Sequence, residues 1–190
     1  MSDTASRDGS RWLIYPAILI LGPLTFLAHE FAHWAAGEAL GIDMWMTLNK
    51  AGPVEGDFGN TFNHVVVALA GPAVTVAIAC AAYLFPRGPL SFLAYGVLFF
   101  QFILRLVSGG ITVFTDYAND EGAAGELLGI GPYVITFAVP AFLLLLTWNA
   151  ARHIRPGWKH NVGAYLVSSM LITAIVFSDQ FLRGQDFRIL

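Results

Sequence analysis

Residues 29–33 read His-Glu-Phe-Ala-His, an HExxH pattern. On a helix, positions i and i+4 share a face, so His29 and His33 present two imidazoles to one metal ion. Glu30 lies about a third of a turn away, close enough to hold a water at that ion without being a ligand itself. The pattern fixes only three positions, so the bare string also arises by chance, or as His and Glu paired structurally between helices. Its setting separates these readings. Three ionisable side chains lie within five residues of an apolar stretch long enough to span a bilayer, where charge is expensive and marks a functional site.

Two imidazoles leave a zinc ion short of its usual coordination, and a catalytic site adds a third protein ligand and keeps one position open. The stretch Thr115-Asp116-Tyr117-Ala118-Asn119-Asp120-Glu121-Gly122 is the richest source of carboxylates. We favour Asp120 as the third ligand; an N-cap is the plainer role for an Asp at that point. Asp116, Glu121, Glu126 and His64 are the remaining candidates. With zinc in place, a polarised carbonyl and an activated water follow, and Glu30 is the group suited to take the water's proton and return it to a leaving amine. Arg105 lies in an apolar segment about three turns before the acidic stretch; it suits an interhelical ion pair better than an oxyanion contact.

The elements that must position these residues are long apolar helices. Of 190 residues, 56% are hydrophobic and 12% charged, against about 25% charged in a soluble domain. Five stretches reach the roughly 20 apolar residues that a span needs: 12–40, 62–85, 90–114, 130–151 and 162–181. They leave little chain for anything else. The expectation is a single integral membrane domain over residues 11–190, all-α and multi-pass in the lipid bilayer, preceded by a disordered tail over 1–10. The net charge of −3 and the lack of a basic run point away from nucleic acid. One cysteine, Cys80, permits no intrachain disulfide. The first apolar run is too long for a signal peptide, and a cut near Ala28 would sever the motif. The bias of Lys and Arg places the N-terminus in the cytoplasm.

Span parity brings the chemistry together. The first span ends, the second begins, the third ends and the fourth begins on one membrane face. His29 follows Trp12 by 17 positions, about 26 Å of helix, so the motif lies just beneath that face. The acidic stretch emerges on the same side. His153 and His160 flank the Arg152/Arg155/Lys159 region on the opposite side and read as surface residues. Between the first two spans, 44–48 is strand-like and Ala51-Gly52-Pro53 and Glu55-Gly56-Asp57 are turn signals. A short β-hairpin at the interface and a plain loop anchored by Trp45 both fit. Gly22-Pro23 and Gly71-Pro72 are sites for helix kinks, and Pro140 for a bend.

HExxH in the first apolar helix, Ala70-Gly71-Pro72 in the second and Asp120-Glu121-Gly122 after the third together resemble the site-2 protease family, intramembrane zinc metalloproteases with a three-helix catalytic core. The resemblance covers about residues 20–130. It implies that His29 and His33 bind zinc, that Glu30 is the catalytic acid/base, and that an Asp from the later helix completes the site. It also implies that the connection after the first helix offers a strand edge to an unwound substrate segment of a membrane protein. The chain departs from the family in two places. Ala73-Val74-Thr75 follows the Gly-Pro where an Asn is frequent, and the acidic stretch lacks the family's proline. A membrane di-iron enzyme needs more His clusters than five histidines with one HxxxH can supply, and a haem site needs histidines on facing helices. The rival reading is non-enzymatic: a metal-binding membrane protein, or a degenerate homologue that binds helices without cutting them. A pure metal site has no use for Glu30.

Overall fold

Lipid offers a backbone no hydrogen-bond partners, so apolar segments of this length satisfy their own amides as helices. The computed structural model describes residues 10–84, 88, 90–115, 117–184 and 188–190. Five helices are long and apolar enough to cross a membrane: α1 (Ile14–Ala39), α2 (Thr61–Leu84), α3 (Ser91–Phe114), α5 (Tyr133–Ile154) and α6 (Trp158–Arg183), with a short α4 (Asp120–Leu127) between α3 and α5. This is the architecture of a multi-pass all-α membrane protein. Residues 1–9 of the expected tail, and Asp116, lie outside the described residues.

The expected spans agree with the helices to within about four residues. The acidic stretch differs: it is partly helical, as α4, and α5 begins at Tyr133 rather than 130. The last connection is also shorter than expected. Arg155 takes a left-handed conformation (φ 55°) as the C-cap of α5, and Gly157 has φ 86°, so α6 starts at Trp158. Pro23 carries no N–H, which removes one rung of the α1 ladder; the turn preceding it, Ala17–Leu21, is wound as π-helix. α2 and α5 run on through Pro72 and Pro140.

Helix α3 is the centre of the bundle: 56% of its span is buried, against 17% for α6. Its Phe92, Tyr95, Leu98, Phe100, Ile103 and Leu104 form the core with Ile14 and Ile18 of α1, Leu143 of α5 and Ile172 of α6. Close approach depends on a missing side chain. A Cβ on Gly96 would stand 2.7 Å from the Ile14 carbonyl oxygen and 2.9 Å from Ala17 Cβ. The outer faces stay apolar, with Leu84, Leu145, Met170, Phe177 and Phe181 exposed, as lipid contact requires. His160 at the start of α6 packs edge-on against Trp12 at the start of the chain's first span. Both lie at the end of the bundle away from His29, as span parity requires.

The connection from α1 to α2 is a β-hairpin, β1 (Met44–Met46) antiparallel to β2 (Ala51–Pro53), in the register Met44–Pro53, Trp45–Gly52, Met46–Ala51. Of the two arrangements compatible with the sequence, the hairpin is the one formed.

Candidate metal centre

The site is built from α1, α2 and the start of α4. His29 and His33 are one turn apart on α1, both buried, with ring centroids 4.7 Å apart. Each ring is held from α2. His33 Nδ1 is 2.6 Å from the Val67 carbonyl oxygen, and His29 Nδ1 is 3.0 Å from Thr75 Oγ1. Val67, Gly71 and Thr75 are spaced i, i+4, i+8, so one stripe of α2 faces the two imidazoles. Gly71 lies between them, and a Cβ there would collide with His33 Nε2 and stand 2.6 Å from His29 Nε2. Absence of a side chain at 71 is therefore a condition for this arrangement.

These bonds turn both Nε2 atoms to one point. A carbonyl only accepts, so His33 Nδ1 carries hydrogen, and in the neutral form of the ring its Nε2 lone pair is the one turned inward. There it meets His29 Nε2 at 3.1 Å and Asp120 Oδ2 at 3.6 Å, while His29 Nε2 lies 3.1 Å from the same oxygen. Atoms with lone pairs this close are stable only with a proton or a cation among them. Zinc with ligands at about 2.0–2.1 Å in tetrahedral array spaces its ligand atoms about 3.3 Å apart. The three separations found here bracket that value. His29 and Asp120 are 91 positions apart in the chain, and His29, His33 and Asp120 are the one group of three potential metal ligands among the described residues.

Asp120 is the first residue of α4, not its cap. The N-cap is Asn119, whose side-chain oxygen accepts from the Gly122 N–H (2.8 Å) and the Thr136 hydroxyl (3.0 Å). Its Nδ2 donates to Ser108 Oγ (3.2 Å), and its own N–H donates to Thr112 Oγ1 (3.0 Å). Asn119 thus ties α3, α4 and α5 together beside the site. Burial works to raise the Asp120 carboxyl, but its hydrogen bonds and charge interactions with His29 and His33 hold it well below the usual aspartate range.

Glu121, the neighbouring candidate, is fully buried and committed elsewhere. Its two oxygens accept from Arg105 Nη1 at 3.1 and 3.3 Å. The ion pair expected of Arg105 is present. Glu126 is exposed, and His64 stacks on Phe58, with centroids 4.3 Å apart, outside the cluster.

A cavity of about 620 Å³ opens onto the cluster, lined by Glu30, His29, His33, Arg105 and Asp120 together with hairpin residues Trp45 and Ala51. Glu30 is buried, and among the described residues no group donates a hydrogen bond to its carboxylate. The Asp120 side chain is 39% exposed, so the ligand cluster is reachable from the cavity. The hairpin is pinned over it: the Asn49 N–H donates to Asp179 Oδ1 of α6 (3.3 Å), and Lys50 Nζ lies 5.5 Å from the centre of the Tyr117 ring.

The two hairpin edges differ. Backbone bonds pair Thr47 with Lys50 and Val54 with Asp43, so in an antiparallel ladder the N–H and C=O groups of Met44, Met46 and Ala51 point away from the partner strand. On β1 that edge is closed. The Met44 N–H donates to Glu38 Oε1 (2.9 Å), its carbonyl accepts from Trp34 Nε1 (3.2 Å), and Met46 bonds Ile189 and Leu190 of the tail. On β2, Ala51 turns its amide and carbonyl away from β1 and is among the residues that line the cavity.

Thr75, Asn119 and the steric role of Gly71 went unassigned in the sequence. The i, i+4 spacing of Gly71 and Thr75, matching that of the two histidines, was the available signal. No family model, no curated protein and no solved structure matches the chain, so the family resemblance rests on its motif residues.

Proposed function

We propose that this protein is an intramembrane zinc metalloendopeptidase of the site-2 protease type, hydrolysing peptide bonds in or near the transmembrane segments of membrane-protein substrates. The observation that carries the reading is the convergence of His29 Nε2, His33 Nε2 and Asp120 Oδ2 from three segments, with Glu30 in the same cavity. Two imidazoles and one carboxylate are the donor set of a catalytic zinc site. Zinc held there supplies Lewis acidity toward a substrate carbonyl and toward water.

The chain's own residues do the rest. Val67 and Thr75 hold the two rings in the orientation that ligation needs, and the Val67 carbonyl also selects the Nδ1-protonated tautomer of His33. Glu30 receives a proton from water on its carboxylate and delivers it to the amide nitrogen as the C–N bond breaks, leaving a carboxylate and an amine. The position just beneath the membrane face and the open cavity admit water to an otherwise apolar bundle. Helical substrate has no free amide to offer, so it must unwind to be cut. The outward amide and carbonyl of Ala51 are the strand edge suited to hold the unwound segment. Arg105 is too engaged with Glu121 to serve as a free anion receptor.

The test is the metal content of the purified full chain alongside His29→Ala, Asp120→Asn and Glu30→Gln, with cleavage of single-span test peptides containing helix-breaking residues in the same bilayer. About one zinc per chain is expected in the parent, loss in His29→Ala and Asp120→Asn, and retention without cleavage in Glu30→Gln. A parent free of zinc, or cleavage persisting in Glu30→Gln, overturns the proposal.

A further inference from the structure

Arg105 and Glu121 form a buried ion pair that touches the His29–His33–Asp120 cluster. Arg105 is 5% exposed and Glu121 fully buried. One guanidinium nitrogen, Nη1, serves both carboxylates of the consecutive pair: it is 3.1 and 3.3 Å from the Glu121 oxygens and 3.6 Å from Asp120 Oδ2. That Asp120 oxygen is the one facing His29 and His33. A positive charge this close to a metal ligand opposes a bound dication, and in a buried setting the opposition is weakly screened.

Glu121 offsets it. Arg105 lies closer to Glu121 than to Asp120, and the pair is neutral as a unit. Without Glu121, the nearest anion left to the guanidinium is Asp120 Oδ2. An Arg–carboxylate bond closes to about 2.7–2.9 Å when nothing competes, so the guanidinium would draw that oxygen from the imidazoles. We propose that Glu121 is a positioning residue that holds Arg105 off Asp120, so that the Arg105–Glu121 pair sets how freely Asp120 is available to a metal ion. This inference rests on the metal reading above.

A merely structural ion pair and a charge-tuning pair predict different signs. If the pair only joined α3 to α4, removing either partner would weaken metal binding alike. As a tuner, the two removals act in opposite directions and cancel when combined.

The measurement is zinc affinity of the detergent-purified full chain by competition with a chromogenic chelator, with monodispersity checked by size exclusion. Glu121→Gln is expected to weaken zinc binding by at least about tenfold, or 1.4 kcal/mol. Arg105→Gln is expected to bind at least as tightly as the parent. The combined Arg105→Gln/Glu121→Gln variant, which leaves no lone buried charge and so keeps the test valid if a single variant fails to fold, is expected within about threefold of the parent. A loss of tenfold or more in Arg105→Gln or in the combined variant overturns the inference. A parent that binds no zinc overturns the metal reading itself, a result distinct from zinc binding that all these substitutions weaken equally.

Discussion

Replacing Gly71 by alanine adds one methyl group at the point where two helices meet the two imidazoles. That carbon would collide with His33 Nε2 and stand 2.5 Å from His29 Cε1 and 2.6 Å from His29 Nε2. Non-bonded heavy atoms settle at about 3.5 Å or more, so His29 Nε2 must retreat by about 0.9 Å. It cannot do so freely, because the rings are tied to Val67 and Thr75. Metal–ligand distances tolerate only about 0.2 Å. Losing an outer partner of a ligand already costs about 10–100-fold in affinity; displacing the ligand atoms themselves should cost at least about 100-fold, or 2.7 kcal/mol. The fold should suffer less. Overpacking costs about 1–3 kcal/mol, partly offset by about 0.5–1 kcal/mol gained when alanine replaces glycine within a helix. The assay is zinc competition in parallel with chemical denaturation. Gly110→Ala, where an added Cβ meets nothing within 4 Å, is the control and should leave affinity unchanged. A Gly71→Ala variant that binds zinc as the parent does would refute the packing argument and the placement of both histidines.

Three further outcomes follow from the same geometry. Thr75→Val keeps the shape of the side chain and removes the hydroxyl 3.0 Å from His29 Nδ1; zinc affinity should fall about 10–100-fold, and an unchanged value would mean the hydroxyl does not orient the ring. Asn119→Ala removes the cap of α4 and the bonds to Thr136 and Ser108. The cap alone is worth about 0.5–2 kcal/mol, so the denaturation midpoint should drop and zinc affinity with it, whereas an unchanged midpoint would show that α4 is held by packing alone. Removing metal with a chelator should destabilise the parent and leave His29→Ala unaffected. At free zinc about one hundred times Kd the difference is about 2.7 kcal/mol, and equal shifts in both proteins would place the chelator's effect away from this site.

Legibility of the sequence followed the range of the interactions. Apolar runs report helices directly, because a span must satisfy its own backbone, and the predicted limits of all five lie close to those found. The His pair was legible for the same reason: i, i+4 spacing is local. Asp120 was reachable only through parity, which says which membrane face a segment meets and nothing of distance. Choosing between Asp120 and Glu121 lay beyond it. Both are carboxylates in the first turn of α4, and what separates them is Arg105, fifteen and sixteen positions earlier, whose pairing depends on how α3 packs. The hairpin stayed open between two readings because a three-residue strand carries too little alternation to register.

Gly71 shows how a motif acquires a physical meaning that its letters do not carry. Read along the chain, Gly-Pro is a place for a kink. Seen across the helix interface, the glycine lies between Val67 and Thr75 on the one stripe of α2 that faces His29 and His33. A backbone carbonyl orients one ring, a hydroxyl orients the other, and between them the missing Cβ leaves room for both Nε2 atoms. Such a stripe orients both rings as the proposed metal centre requires. Three donor atoms converging at 3.1, 3.1 and 3.6 Å, with an acid in the same cavity that accepts no hydrogen bond from the described residues, are the geometry on which the proposed metal centre rests.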